Sequence, residues 1–208
     1  MNVDWFYEQV IEGAAQPPDV RHALYCELHT AVLDRYLTVL DSITPADALQ
    51  PVNQGDDQCT LGQLIGHIGE WDRYAILSAG DILAGLRHPR AVTSIENYVE
   101  PDGTVLTFAS VDDFNAFQAE KQASWSWEQL HDLARDSAQA LHALFADEWL
   151  LNAQRLEQTL PWQKRLHNGV LLENITMGWT LWLLQLEHMG AEHAAELRLY
   201  DDRSQTTI

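Results

Sequence analysis

Thr60-Leu61-Gly62-Gln63-Leu64-Ile65-Gly66-His67-Ile68-Gly69-Glu70-Trp71 opens on a threonine with a glutamine three residues on, and then runs apolar at steps of three and four. The Thr/Gln pair is a capping box, in which the two side chains take up backbone groups that a helix start leaves unpaired. Leu64, Ile68, Trp71, Ala75 and Ile82 continue a single stripe, so this stretch predicts a long helix over 60–86. Start signals of the same kind stand at Thr44-Pro45-Ala46-Asp47, Ser110-Val111-Asp112-Asp113 and Ser126-Trp127-Glu128-Gln129. Three further stripes follow helical spacing: Leu24, Leu28, Val32, Tyr36 and Leu40; Leu130, Leu133, Leu141 and Leu144; and Trp179, Trp182, Leu186, Met189, His193 and Leu197. The expected long helices span 19–42, 60–86, 111–146 with a bend near 125, and 169–200. Short helices are expected over 3–14 and near 45–50.

The stretch 87–109 carries two prolines, a Pro-Asp-Gly turn and β-leaning residues without a helical period, which makes it a long connection with room for a small hairpin at Asp102-Gly103. The segment 147–168 reads as a second irregular link, with Asn168-Gly169 leading into the last helix. The expected fold is all-α: a four-helix bundle with one long crossover connection and a short extra N-terminal helix, in one domain over 1–208.

The 208 residues are 46% hydrophobic and 21% charged, an ordinary globular composition. Lys+Arg 12 against Asp+Glu 31 leaves a net charge of -19, and on that ground no nucleic acid and no membrane surface is expected as a partner. Cys26 and Cys59 form no disulfide framework or zinc-ribbon spacing, and the N-terminus has neither a basic segment nor a long apolar one, so a cytoplasmic protein is expected. Leu181, Leu184 and Ala195 lie opposite the core stripe of the last helix, and a second apolar face argues for a homodimer.

Among nine histidines, His22, His29, His88, His131, His142 and His167 have no core-facing ligand partner at helical spacing and read as surface or capping residues. His67 lies about 60° from the centre of its stripe at ~100° per residue, near enough to point into a bundle. His193 lies within about 20° of the Leu186 stripe, while His188 falls on nearly the opposite side of a straight helix, with Glu192 about 40° from it. Trp71, Trp179 and Trp182 sit on core stripes, and Trp125, Trp127 and Trp162 flank helix starts.

The run from Cys59 to Trp71, together with Val111-Asp112-Asp113-Phe114-Asn115, Ser126-Trp127-Glu128-Gln129-Leu130 and Glu192-His193-Ala194-Ala195-Glu196-Leu197, resembles the DinB-like (YfiT-type) bundle proteins over roughly residues 19–200. The resemblance implies a four-helix bundle, commonly dimeric, with a divalent metal, zinc or nickel, held by one histidine of the second long helix and two ligands four residues apart on the fourth. It also implies thiol-dependent transferase or isomerase chemistry with a low-molecular-weight thiol, or hydrolase-like chemistry, on a small-molecule substrate. Carried onto this chain, it places His67 and His193 at two ligand positions and Met189 at the third, and a thioether is a poor zinc ligand. Glu192, His188, Glu196 or Glu70 completes the site if the helix rotates or bulges near Gly190, and Trp71 and Met189 are then candidate substrate-binding residues.

Two readings of different class follow. One is a metal-dependent enzyme in which an activated water or thiolate attacks a small electrophile. The other is a metal-free bundle that has lost catalysis and serves as a small-molecule-binding or dimerisation module, its two histidines satisfied by hydrogen bonds.

Overall fold

The computed structural model describes residues 1–54, 57–93, 95 and 97–201. The helices start where the side chains can cap them. α1 (Val3–Ala14) is capped by Asn2, and α2 (Pro18–Ser42) begins with proline in its first turn. The short α3 (Pro45–Ala48) has a Thr44/Asp47 capping box, and β1 (Pro51–Gln54) then pairs antiparallel with β2 (Asp57–Thr60). α4 (Leu61–Leu83) opens on the Thr60/Gln63 box, with the Gln63 Oε1 2.8 Å from the Thr60 N–H and the Thr60 hydroxyl 3.2 Å from the Gln63 N–H.

The crossover holds a short α5 (Arg90–Thr93) and the hairpin of β3 (Tyr98–Val99) with β4 (Val105–Leu106), turning at Gly103 as the Pro-Asp-Gly signal indicates. The third long stripe forms two helices, α6 (Val111–Gln122) and α7 (Trp127–Ala146). The break comes where Ser126 starts a new capping box with Gln129, so the expected bend at 125 is a restart. α4 lies along α7, and α2 packs on α7. This is a helical bundle with small hairpins at its margins.

The last quarter of the chain differs from the sequence expectation. A helix was expected over 169–200. After α8 (Ala153–Glu157) the chain instead makes a hairpin of β5 (Pro161–Arg165) and β6 (Leu171–Thr176). Asn168-Gly169 closes that hairpin, with the Gly169 N–H donating to the Leu166 carbonyl at 2.9 Å and Gly169 at φ +90°, where an L side chain would be strained. α9 is therefore only Met177–Glu187, followed by a π-helical turn over His188–Glu192 and tight turns to Tyr200. Three hairpins are described in place of the single small one expected.

Three further expectations are corrected by packing. Leu181, assigned to a dimer face, is fully buried within this chain, because α8 and the β5–β6 hairpin cover the side of α9 that a straight bundle would expose. His22 and His29, read as surface residues, are buried: the His22 Nε2 lies 3.0 Å from the Leu151 carbonyl, and the His29 Nδ1 accepts from the Trp182 indole at 3.1 Å. Each polar ring has found a partner inside, which is what makes its burial tolerable. Among the described residues no helix is long and apolar enough to cross a membrane.

Burial lowers the His29 pKa from 6.5 to about 3. Because the folded value is depressed, the unfolded chain binds a proton that the native state refuses between pH 6.5 and 3. The stability this residue provides is complete above pH 6.5 and is lost as pH falls through that window. His29→Gln keeps an acceptor for Trp182 without the titration. Urea unfolding at pH 7, 5.5 and 4.5 is expected to show the variant losing less stability on acidification, by up to about 1.4 kcal/mol per pH unit; parallel losses would contradict the assignment.

Candidate metal centre

α4 and the π-turn bring His67, His188 and His193 together. The His188 Nε2 lies 3.1 Å from the Nε2 of His67 and 3.1 Å from the Nε2 of His193, and one ring nitrogen from each of the three falls within 4.8 Å of the others. The ring centroids are 5.0 Å apart for His67 and His188, 4.7 Å for His188 and His193, and 5.7 Å for His67 and His193, all edge to face.

His188 and His193 share one side because of the π-turn between them. On a straight α-helix, positions five apart point about 140° away from each other, which is why His188 reads as outward-facing. An i→i+5 turn absorbs one extra residue and returns positions five apart to the same side. The signal present in the sequence was Gly190, in the middle of the turn. A Cβ there would stand 3.0 Å from the Phe6 ring and 3.0 Å from a Val32 methyl, so only glycine lets the turn settle against α1 and α2. The Gly190 carbonyl accepts from the Tyr200 hydroxyl.

The cluster keeps a nitrogen of each ring unprotonated at neutral pH. Burial pushes His67 and His193 down to about 4, and burial followed by the neighbouring His67 and His193 pushes His188 well below its ordinary value. At neutral pH three uncharged imidazoles therefore converge. For zinc–nitrogen bonds of ~2.0–2.1 Å at tetrahedral angles, ligand nitrogens stand about 3.3 Å apart. The two separations of 3.1 Å are close to that, and the donors are borderline bases that suit zinc or nickel.

The other residues singled out in the sequence go elsewhere. Met189 is fully buried in the main apolar core, so neither a ligand nor a substrate-contacting role follows from its position. The Glu192 carboxylate faces His167 at 3.5 Å. The Glu70 carboxylate is committed to Arg73 at 3.0 Å, Lys121 at 3.4 Å and the Tyr98 hydroxyl at 2.8 Å. Glu196 lines a cavity of about 340 Å³ beside Ser42 and Val52. Trp71 does border the cluster, with its ring centroid 6.5 Å from His67 and 6.4 Å from His188. Its indole donates to Asn115 at 3.1 Å and its edge meets Phe114, which fixes it as an apolar wall.

No protein-family model matches the sequence, and no curated protein matches it. Solved structures do. The structure of the colibactin self-resistance protein ClbS in complex with double-stranded DNA aligns over 85% of this chain and 93% of its own, with a TM-score of 0.57 at 13% identity. The mycothiol-dependent maleylpyruvate isomerase aligns over 85% of this chain and 60% of its own, with a TM-score of 0.52 at 16% identity; its histidine-to-alanine mutant aligns equally well at 15%. The chain shares the helical fold of these proteins. The chain spans only 60% of the isomerase's length. The ClbS complex also corrects the partner expectation, since this fold occurs in a protein crystallised with DNA. Net charge sums over a whole surface, whereas a phosphate backbone meets one local patch, so a total of -19 is insufficient ground for excluding nucleic acid.

Gly190→Ala is expected to destabilise the protein by about 1–3 kcal/mol, because the new methyl group crowds the fully buried Phe6 ring and Val32 methyl at 3.0 Å and both must shift. Urea unfolding checks this; unchanged stability would show that the turn has slack.

Proposed function

We propose that this chain is a metal-dependent enzyme of the DinB-like superfamily, in which His67, His188 and His193 hold a divalent zinc or nickel ion. The chemistry is of the thiol-dependent transferase or isomerase kind, or hydrolase-like, on a small substrate. The observation that carries this reading is the convergence of three neutral Nε2 atoms, with His188 at 3.1 Å from each of the others. His67, His188 and His193 would hold such an ion, and the chemistry it would supply is Lewis-acid activation of a water or thiol at neutral pH.

The residues of the chain supply the setting. The depressed pKa values of His67 and His193 keep protons from competing for the ligand nitrogens until the pH approaches 4. The Trp71 ring, held by Asn115, excludes bulk water from one side and offers an apolar surface to a substrate. The mycothiol dependence of the isomerase sharing this fold supports a low-molecular-weight thiol as co-reactant. The competing reading, a metal-free bundle, drew its strength from Met189 at the ligand spacing. The π-turn supports the metal-dependent reading, since it offers His188 as a third imidazole beside His67 and His193.

Protein purified without a histidine tag is expected to carry about one equivalent of zinc or nickel per chain by elemental analysis. His67→Ala, His188→Ala and His193→Ala are each expected to lose most of it, while Met189→Leu keeps it. A metal-free parent that takes up no zinc or nickel on addition would overturn the proposal, as would an undiminished content in His188→Ala.

A further inference from the structure

The π-turn is an unusual backbone, and something must hold it in register. Glu187, the last residue of α9, lies immediately before the turn and Glu192 is its last residue. Both face the β5–β6 hairpin. The Glu187 carboxylate is 2% exposed and is gripped from two directions: Lys164 of β5, itself 5% exposed, places its ammonium 2.7 Å from one oxygen, and the His167 backbone N–H donates to the other at 2.6 Å. The Tyr7 hydroxyl of α1 faces the same carboxylate, and burial, followed by the Glu187 charge, pushes the phenol pKa up. At the far end of the turn, the His167 Nδ1 lies 3.5 Å from the Glu192 carboxylate. One short segment of the hairpin, Lys164 to His167, therefore meets both ends of the five-residue turn His188–Glu192.

A buried ion pair is a poor way to gain stability, since removing two charges from water costs about as much as their attraction returns. Its better-attested use is to fix one register among several. An α-helix continued past residue 188 is the competing register here, and it would turn His193 about 140° away from His188. The grip of Lys164 and His167 on Glu187 anchors the end of α9 to the hairpin, and the contact of His167 with Glu192 ties the end of the turn to the same segment.

We infer that Lys164 and His167 of the β5–β6 hairpin are positioning residues, which clamp Glu187 and Glu192 so that the π-turn presents His188 and His193 to His67. The inference rests on the metal-site reading for its functional meaning, but the clamp itself is a property of the metal-free chain. It also assigns a role to the hairpin, which a minimal helical bundle would not need.

The test uses the full chain and two variants. Lys164→Met/Glu187→Leu removes both charges together, which avoids stranding one of them. His167→Pro removes the N–H and the ring at the second position of the 166–169 turn, where proline is well accommodated. Amide hydrogen exchange is measured on metal-free protein, and zinc affinity by competition with a chromophoric chelator, with the visible spectrum of the cobalt-loaded protein as a geometric signature. Both variants are expected to remain folded, to exchange the amides of residues 188–193 at least tenfold faster than the parent, and to bind zinc 10–100-fold more weakly with an altered cobalt spectrum. Lys164→Arg is expected to restore parental behaviour. Parental exchange and parental affinity in both variants would overturn the inference. Should the parent itself bind no zinc, the metal-site reading fails, and the clamp is then decided by the exchange rates alone: faster exchange at 188–193 supports it, unchanged exchange overturns it. Should the double variant unfold, His167→Pro decides in the same way.

Discussion

Two imidazoles five residues apart cannot share a face of an α-helix, because the intervening rotation leaves them about 140° apart. His188 and His193 share one, their Nε2 atoms 3.1 Å apart, because the backbone between them takes an i→i+5 turn. Much of the surrounding structure serves that turn. α1 and α2 supply Phe6 and Val32, against which Gly190 packs without a side chain. Tyr200 returns after the turn to satisfy the Gly190 carbonyl, and Arg35 of α2 donates to the Leu199 carbonyl at 2.8 Å, which fastens the chain end over it. α4 then needs only to bring His67 to the same point, and the Thr60 capping box sets where that helix begins.

The geometry also gives a physical reason for the depressed basicity of the cluster. Three uncharged rings at van der Waals distance in a buried site lose solvation when any one takes a proton, and a second proton would add direct repulsion. Such a set stays unprotonated at neutral pH, which leaves its lone pairs free of competing protons. Trp71 stands on α4 with His67, and its indole is aligned by Asn115 of α6, which packs on α4.

Most of the helical frame was legible in the sequence, because it is written in local signals. Each of the capping boxes at Thr44, Thr60 and Ser126 marks a helix start within a residue, and the stripe through Leu64 and Ile68 forms the buried face of α4. The errors arise where a non-local or non-standard element competes. Asn168-Gly169 is as good a hairpin turn as it is a helix boundary, and only the burial of Leu172 and Ile175 on the body of the protein decides for the strand. His22 and His29 lie on a helix whose polar and apolar residues are poorly segregated, so their partners, Leu151 and Trp182, come from distant sequence and leave no periodic trace. His67 and His193 were identifiable from stripe arithmetic. His188 was not, since that arithmetic assumes a uniform ~100° per residue and the π-turn breaks the assumption at the one place where it matters.

The central claim is that the π-turn makes a three-imidazole donor set with no contribution from Met189. X-ray absorption at the zinc edge of the zinc-loaded protein tests it most directly. The account predicts three imidazole nitrogens and one further light atom at about 2.0–2.1 Å, with no sulfur. A sulfur shell near about 2.3 Å, or a coordination with fewer than three imidazoles, would contradict it.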